Sequence, residues 1–119
     1  MTIEELKNYL IERGIKSVKA TEKGDKRMGG IEGFEMCRLL KTPEDFDKKL
    51  LELWREGHAI LQRRPDLTKE ETETYWRIRY QALQVEFVFE RLKCAWRFPT
   101  LSARAALDYS EILDKANKK

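Results

Sequence analysis

Imidazole is almost missing from this chain: His58 is the only histidine, and Cys37 and Cys94 are the only thiols. A single histidine removes most acid–base and metal schemes built on imidazole. His58 lies beside Gly57 in a helical stretch, where a half-exposed ring with no catalytic role is the ordinary outcome. The two cysteines stand far apart, each in an apolar run, without metal-ligand spacing. They define no disulfide framework and read as reduced thiols of a reducing compartment. No apolar run approaches the ~20 residues needed to cross a bilayer. The opening MTIEELKNYL carries acids where a secretory signal carries bases and then an apolar block. The expectation is a cytoplasmic protein with no membrane partner.

An excess of one charge is also lacking. The 24 basic and 21 acidic residues leave a net charge of +3, a balance that neither requires nor excludes an anionic partner. A protein dedicated to coating DNA is usually more lopsided. What the chain does contain is 38% charged and 41% hydrophobic residues, with three Trp, four Tyr and five Phe. That aromatic content argues for a folded core, and 119 residues suit one domain.

With only three prolines, helix boundaries are few. Thr2 and Glu5 have capping-box spacing and Gly14 supplies a stop, so residues 3–13 read as a first helix with Ile3, Leu6 and Leu10 on one face. IKSVKAT, from Ile15, reads as an extended segment with room for one short strand. Residues 22–33, which hold Gly24, Gly29, Gly30 and Gly33, read as a flexible loop. A helical pattern resumes with Phe34, Cys37 and Leu40 and stops at Thr42-Pro43, where Thr42 can cap a new helix. In that helix, about 43–64, Phe46, Leu50, Leu53, Trp54, Ile60 and Leu61 form one stripe, and Arg63-Arg64 and Pro65 close it. Thr68 and Glu71 have capping-box spacing at the head of a long helix over about 69–97. Beyond Pro99, Thr100 or Ser102 can cap a last helix with Ala105, Tyr109, Ile112 and Ala116 inward, and 117–119 fray. The fold class is therefore mainly α: a bundle of four to five helices around a long central one.

That long helix has two apolar strips. Tyr75, Ile78, Ala82, Val85, Phe89, Leu92 and Trp96 alternate at three and four residues, and Trp76, Tyr80, Leu83, Phe87 and Cys94 lie roughly 160° away. Two polar strips separate them, one with Arg79, Glu86, Glu90, Lys93 and Arg97, the other with Arg77, Gln81, Gln84 and Arg91. Either the helix is central to its own domain, or one strip is a homodimer interface. Its ~42 Å length exceeds the ~35 Å diameter of a compact chain of this size. Trp76, Tyr80, Leu83 and Phe87 are the candidate interface, having residue types favoured at interface cores.

Specific chemistry is thin. Glu86 and Glu90 are spaced to share a cation, but carboxylate cages in bundles normally add histidines, and Lys93, Arg79 and Arg97 make surface ion pairs the simpler account. The glycine cluster with Lys26 and Arg27 is a candidate phosphate wrap, yet it lacks the Lys and Ser/Thr of a P-loop. Candidate nucleic-acid contacts are Lys26, Arg27, Arg63, Arg64, Arg77, Gln84 and Arg91, together with terminal Lys118-Lys119; arginine and glutamine suit phosphates and base edges. Against them, Glu73 stands four residues before Arg77 as an ordinary helix-face partner, and no short helix-turn-helix pattern occurs. No catalytic residue, metal ligand or cofactor is expected.

YWRIRYQALQVEFVFERLKCAWR followed by LSARAALDYSEIL, together with EELKNYLIERGIKSVKAT, resembles small uncharacterised proteins of Gram-positive phages and prophages. The resemblance spans most of the chain and brings no functional residues with it. It implies a bacterial cytoplasm and work on phage or host machinery. The leading expectation is a non-enzymatic interaction protein, homo-oligomeric, that binds a phage or host protein; the alternative is a nucleic-acid-associated accessory factor.

Overall fold

The computed structural model describes residues 2–97 and Asp108. It is a mainly α-helical bundle: α1 (Ile3–Thr21), α2 (Gly24–Met36), a short 3-10 turn (Cys37–Leu39), α3 (Pro43–Leu61) and α4 (Lys69–Arg97). The expected last helix, with Ala105, Tyr109, Ile112 and Ala116, lies outside the described residues.

Three helix starts are fixed by reciprocal caps. The Thr2 hydroxyl accepts from the Glu5 amide at 3.1 Å while the Thr2 amide donates to the Glu5 carboxylate at 3.1 Å. Thr42 with Asp45 and Thr68 with Glu71 repeat the arrangement at the heads of α3 and α4. Each closes donors that the first turn would otherwise leave open. Arg63-Arg64 lie in the turn after α3 rather than in its last helical turn.

α1 does not stop at Gly14, and residues 15–21 are helical rather than extended. Ile11, Ile15 and Val18 continue the buried stripe of Leu6 and Leu10 at helical spacing. Burial of that stripe outweighs the extended preference of the β-branched Ile15 and Val18. Gly14 serves packing instead. A Cβ there would come within 2.1 Å of the Phe34 ring, so the missing side chain is the seat for Phe34.

The larger correction is residues 22–33: only Glu22 and Lys23 link α1 to the next helix, and 24–33 form most of α2 instead of a loop. Glycine costs a helix interior about 1 kcal/mol relative to alanine, so tertiary packing must stabilise this one. A Cβ on Gly29 would lie 2.5 Å from the Arg77 carbonyl oxygen, and one on Gly33 would lie 2.6 Å from that of Gln81. One turn apart, the two glycines let the backbones of α2 and α4 approach along a parallel course. The strip of α4 that carries Arg77, Gln81, Gln84 and Arg91 therefore does not form a simple solvated face: Gln81, Val88 and Ala95 on it are buried. Arg77 is held by the Glu32 carboxylate of α2, with Nη2 to Oε2 at 2.8 Å, not by Glu73.

α3 runs antiparallel to α4 on another side. Phe46 near its start stacks on Phe89 at 5.1 Å and meets Trp96 edge-on at 6.0 Å. Gly57 near its end faces Tyr75 and Ile78. The strip of α4 from Tyr75 to Trp96 thus turns inward, with Val85, Phe89 and Leu92 buried. Lys7 of α1 is only 2% exposed. Its ammonium donates to the Leu40 carbonyl at 2.9 Å and lies 3.5 Å from that of Arg38, capping the end of the 3-10 turn.

Candidate functional site

The doubled apolar residues of α3, Leu50-Leu51 and Leu53-Trp54, make its apolar surface wider than one neighbour can cover. Leu53 and Gly57 are buried against α4, whereas Leu51 and Trp54 remain outside, Trp54 with 63% of its surface exposed. On the facing side of α4, Tyr75, Ile78 and Ala82 continue inward and Arg79, Leu83 and Glu86 form the outer wall. Together they bound an open groove of about 520 Å³ with an apolar floor. Trp54 stands over one side, stacked on His58 with ring centres 5.0 Å apart. The His58 Nε2 is 2.7 Å from the Gln62 amide nitrogen, so the only imidazole is engaged locally, by a ring and an amide.

The expected interface residues sit next to this groove. Leu83 lines it, with 48% of its surface exposed, and Trp76, two turns nearer the start of α4, is 45% exposed. Tyr80 is half-buried and stacks on Trp76 at 6.1 Å. Phe87 lies further round the helix, edge-on to Phe34 at 6.0 Å, with the Arg91 guanidinium 3.6 Å above its ring. Burial therefore consumes the first apolar strip of α4 and leaves much of the second exposed.

The candidate nucleic-acid contacts are distributed over α2, the turn after α3 and α4, and several have local partners. Lys26 pairs with Glu22 at 3.4 Å and lies near the Tyr80 ring. Arg27 is exposed on α2. Arg63 Nη1 is 2.6 Å from Glu71 Oε2, an approach outside hydrogen-bonding geometry and so a coulombic contact. Arg64 turns back to the Leu61 carbonyl at 3.2 Å. Arg77 is clamped to Glu32, Gln84 is half-buried against the glycines of α2, and Arg91 covers Phe87. Lys118-Lys119 lie outside the described residues. Of the glycines expected to wrap a phosphate, Gly29 and Gly33 are buried against α4 and Gly30 against Val18 of α1, whereas Gly24 is exposed.

Charge chemistry near the groove is equally local. Glu90 pairs with Lys93 at 2.9 Å, while Glu86 lines the groove. Among the described residues no group of three His, Cys, Asp or Glu side chains converges as a metal site would require. Burial pushes the Cys37 thiol up to about 12, far from a reactive thiolate. Among the described residues no helix is long and apolar enough to cross a membrane.

Periodicity alone sets Trp54 on the stripe of α3, where the structure leaves it exposed, and passes over Leu51. The adjacent pairs Leu50-Leu51 and Leu53-Trp54 carry the relevant signal, since one residue of each pair must point away from any single neighbour. In comparisons with known proteins, no family model, no curated protein and no solved structure matches the chain.

Proposed function

We propose that this chain is a non-enzymatic interaction protein that binds another protein through the α3–α4 groove. One observation carries the reading: an open apolar groove stays lined, after folding, by large side chains that a self-sufficient bundle would bury. Trp54, Leu51, Leu83 and neighbouring Trp76 are all exposed, and contiguous exposed apolar surface of this kind marks interaction sites. Tryptophan beside leucine over a concave floor also matches the anchors that dominate interface energetics. The likeness to small phage and prophage proteins supplies the setting, a bacterial cytoplasm with a phage or host protein as the target.

Capture from a bacterial lysate, with and without nuclease, tests the reading against a groove variant. A protein retained by the wild type and lost with Trp54→Glu, whose helicity by circular dichroism is unchanged, is the expected result. Retention of nucleic acid alone, removed by nuclease, replaces this reading with that of a nucleic-acid accessory factor. Equal capture by both forms overturns the groove as the binding face.

A further inference from the structure

Arg79, Leu83 and Glu86 follow one another at four- and three-residue spacing along the groove wall. Among the described residues neither Arg79 nor Glu86 has an ion-pair partner, although much of the surrounding charge is matched: Arg77 with Glu32, Lys93 with Glu90, Lys49 with Glu52. Opposite charges that straddle an exposed leucine have one special property. They are complementary to themselves when the helix is reversed.

We propose, building on the groove reading above, that the occupant of this face is a second copy of the chain. Its α4 lies antiparallel on the first, about a two-fold axis at Leu83. At 1.5 Å per residue Arg79 lies about 6 Å before Leu83 and Glu86 about 4.5 Å after it. Reversal about Leu83 therefore brings Arg79 level with the partner's Glu86 to within about one residue rise, and symmetry makes that pair twice. At 100° per residue both positions fall on the same side of Leu83, roughly 40° and 60° from it, so each pair meets on one flank of the seam.

The other flank obeys the same arithmetic. Tyr80 and Phe87, three residues before and four after Leu83, fall about 60° and 40° to the opposite side. The two-fold brings Tyr80 level with the partner's Phe87, again twice. Leucine then meets leucine at the centre, with a doubled ion pair on one side, a doubled aromatic pair on the other, and Trp76 towards each end. A parallel pairing in register would instead leave the two copies of Arg79 level on opposite flanks, each facing the partner's Tyr80–Phe87 side with no carboxylate to meet it. The strip is matched to its own reverse, a property that an unrelated partner has no reason to require.

Charge reversal tests this without relying on the leucine. Analytical ultracentrifugation of the wild type across micromolar concentrations is expected to give a monomer–dimer equilibrium. Arg79→Glu and Glu86→Arg should each weaken it about tenfold or more, while the doubly reversed chain should return to within about threefold of the wild type. Circular dichroism shows that each variant keeps its helices. A wild type that stays monomeric throughout, or a double variant no better than the singles, overturns the proposal. In either case, protein captured through Trp54 would leave the groove reading standing on its own.

Discussion

Lys7 is a charged side chain placed where an apolar one is expected, and its surroundings explain it. The last carbonyls of a helical turn have no partner within the turn, and the ammonium reaches those of Leu40 and Arg38. Glu4 at 3.3 Å offsets the charge from the solvent side. Lys7→Met keeps the stem and removes the donor, leaving a buried carbonyl unpaired. The expected loss is about 1–3 kcal/mol, read as a lower urea midpoint with an unchanged slope; a midpoint equal to the wild type would show that the cap contributes nothing. No pattern in the sequence points to Lys7, because it stands beside Leu6 and resembles an ordinary solvated residue. Arg77 is similar. Its spacing from Glu73 offers a partner on the same helix, but Glu32, distant in sequence, supplies two oxygens in a geometry that matches the guanidinium fork.

At the scale of elements, the capped helices were legible and the uncapped one was not. Thr42 with Pro43, and Thr68 with Glu71, mark the heads of α3 and α4 by local chemistry that needs no tertiary context. α2 has no side-chain cap, and its glycines carry the opposite local signal. Its reason for being helical resides in the surface of α4, which sequence periodicity cannot supply. Two substitutions separate the uses of glycine. A Cβ at Gly33 meets backbone, which cannot rotate away, so Gly33→Ala forces the helices apart. Its gain in helix propensity, about 1 kcal/mol, is outweighed by overpacking that typically costs about 1–3 kcal/mol. A Cβ at Gly57 would find its nearest neighbours at 3.8 Å, an ordinary contact, and Gly57→Ala is expected to stabilise by about 0.5–1 kcal/mol. Thermal melts of the two variants should move in opposite directions; a Gly33→Ala melt at or above that of the wild type would contradict the close α2–α4 approach.

Across the whole molecule, several carboxylates tie elements together or close their ends, and this sets the response to acid. The Arg77 guanidinium holds the Glu32 carboxyl below its ordinary range, against a smaller opposing effect of burial. Hydrogen bonds to the backbone amides of Thr2 and of Lys41 lower Glu5 and Asp45. A carboxyl lowered on folding contributes stability that is complete above its ordinary value, near 4.5 for glutamate. That contribution is lost as pH falls through the lower folded value. The melting temperature should therefore decline from pH 5 towards pH 3, and Glu32→Gln should flatten part of that decline while lowering stability at neutral pH. Equal slopes for variant and wild type would show that the α2–α4 clamp plays no part in the acid response. The groove was half legible at this scale. Trp76, Tyr80, Leu83 and Phe87 stood out as a surplus strip, but which strip is used internally depends on where α3 and α2 settle around α4.

The glycine-lined approach of α2 to α4 has a consequence for how the protein would be degraded. A helix whose stability is borrowed from its neighbour is among the first segments to open when that neighbour shifts, and α2 carries Lys26 and Arg27 with Lys23 at its threshold. Trypsin should find these bonds before those of the capped helices. The rate at which the chain is nicked there becomes a gauge of how firmly α4 is held, and a protein seated on the outer face of α4 would slow cleavage in the neighbouring helix.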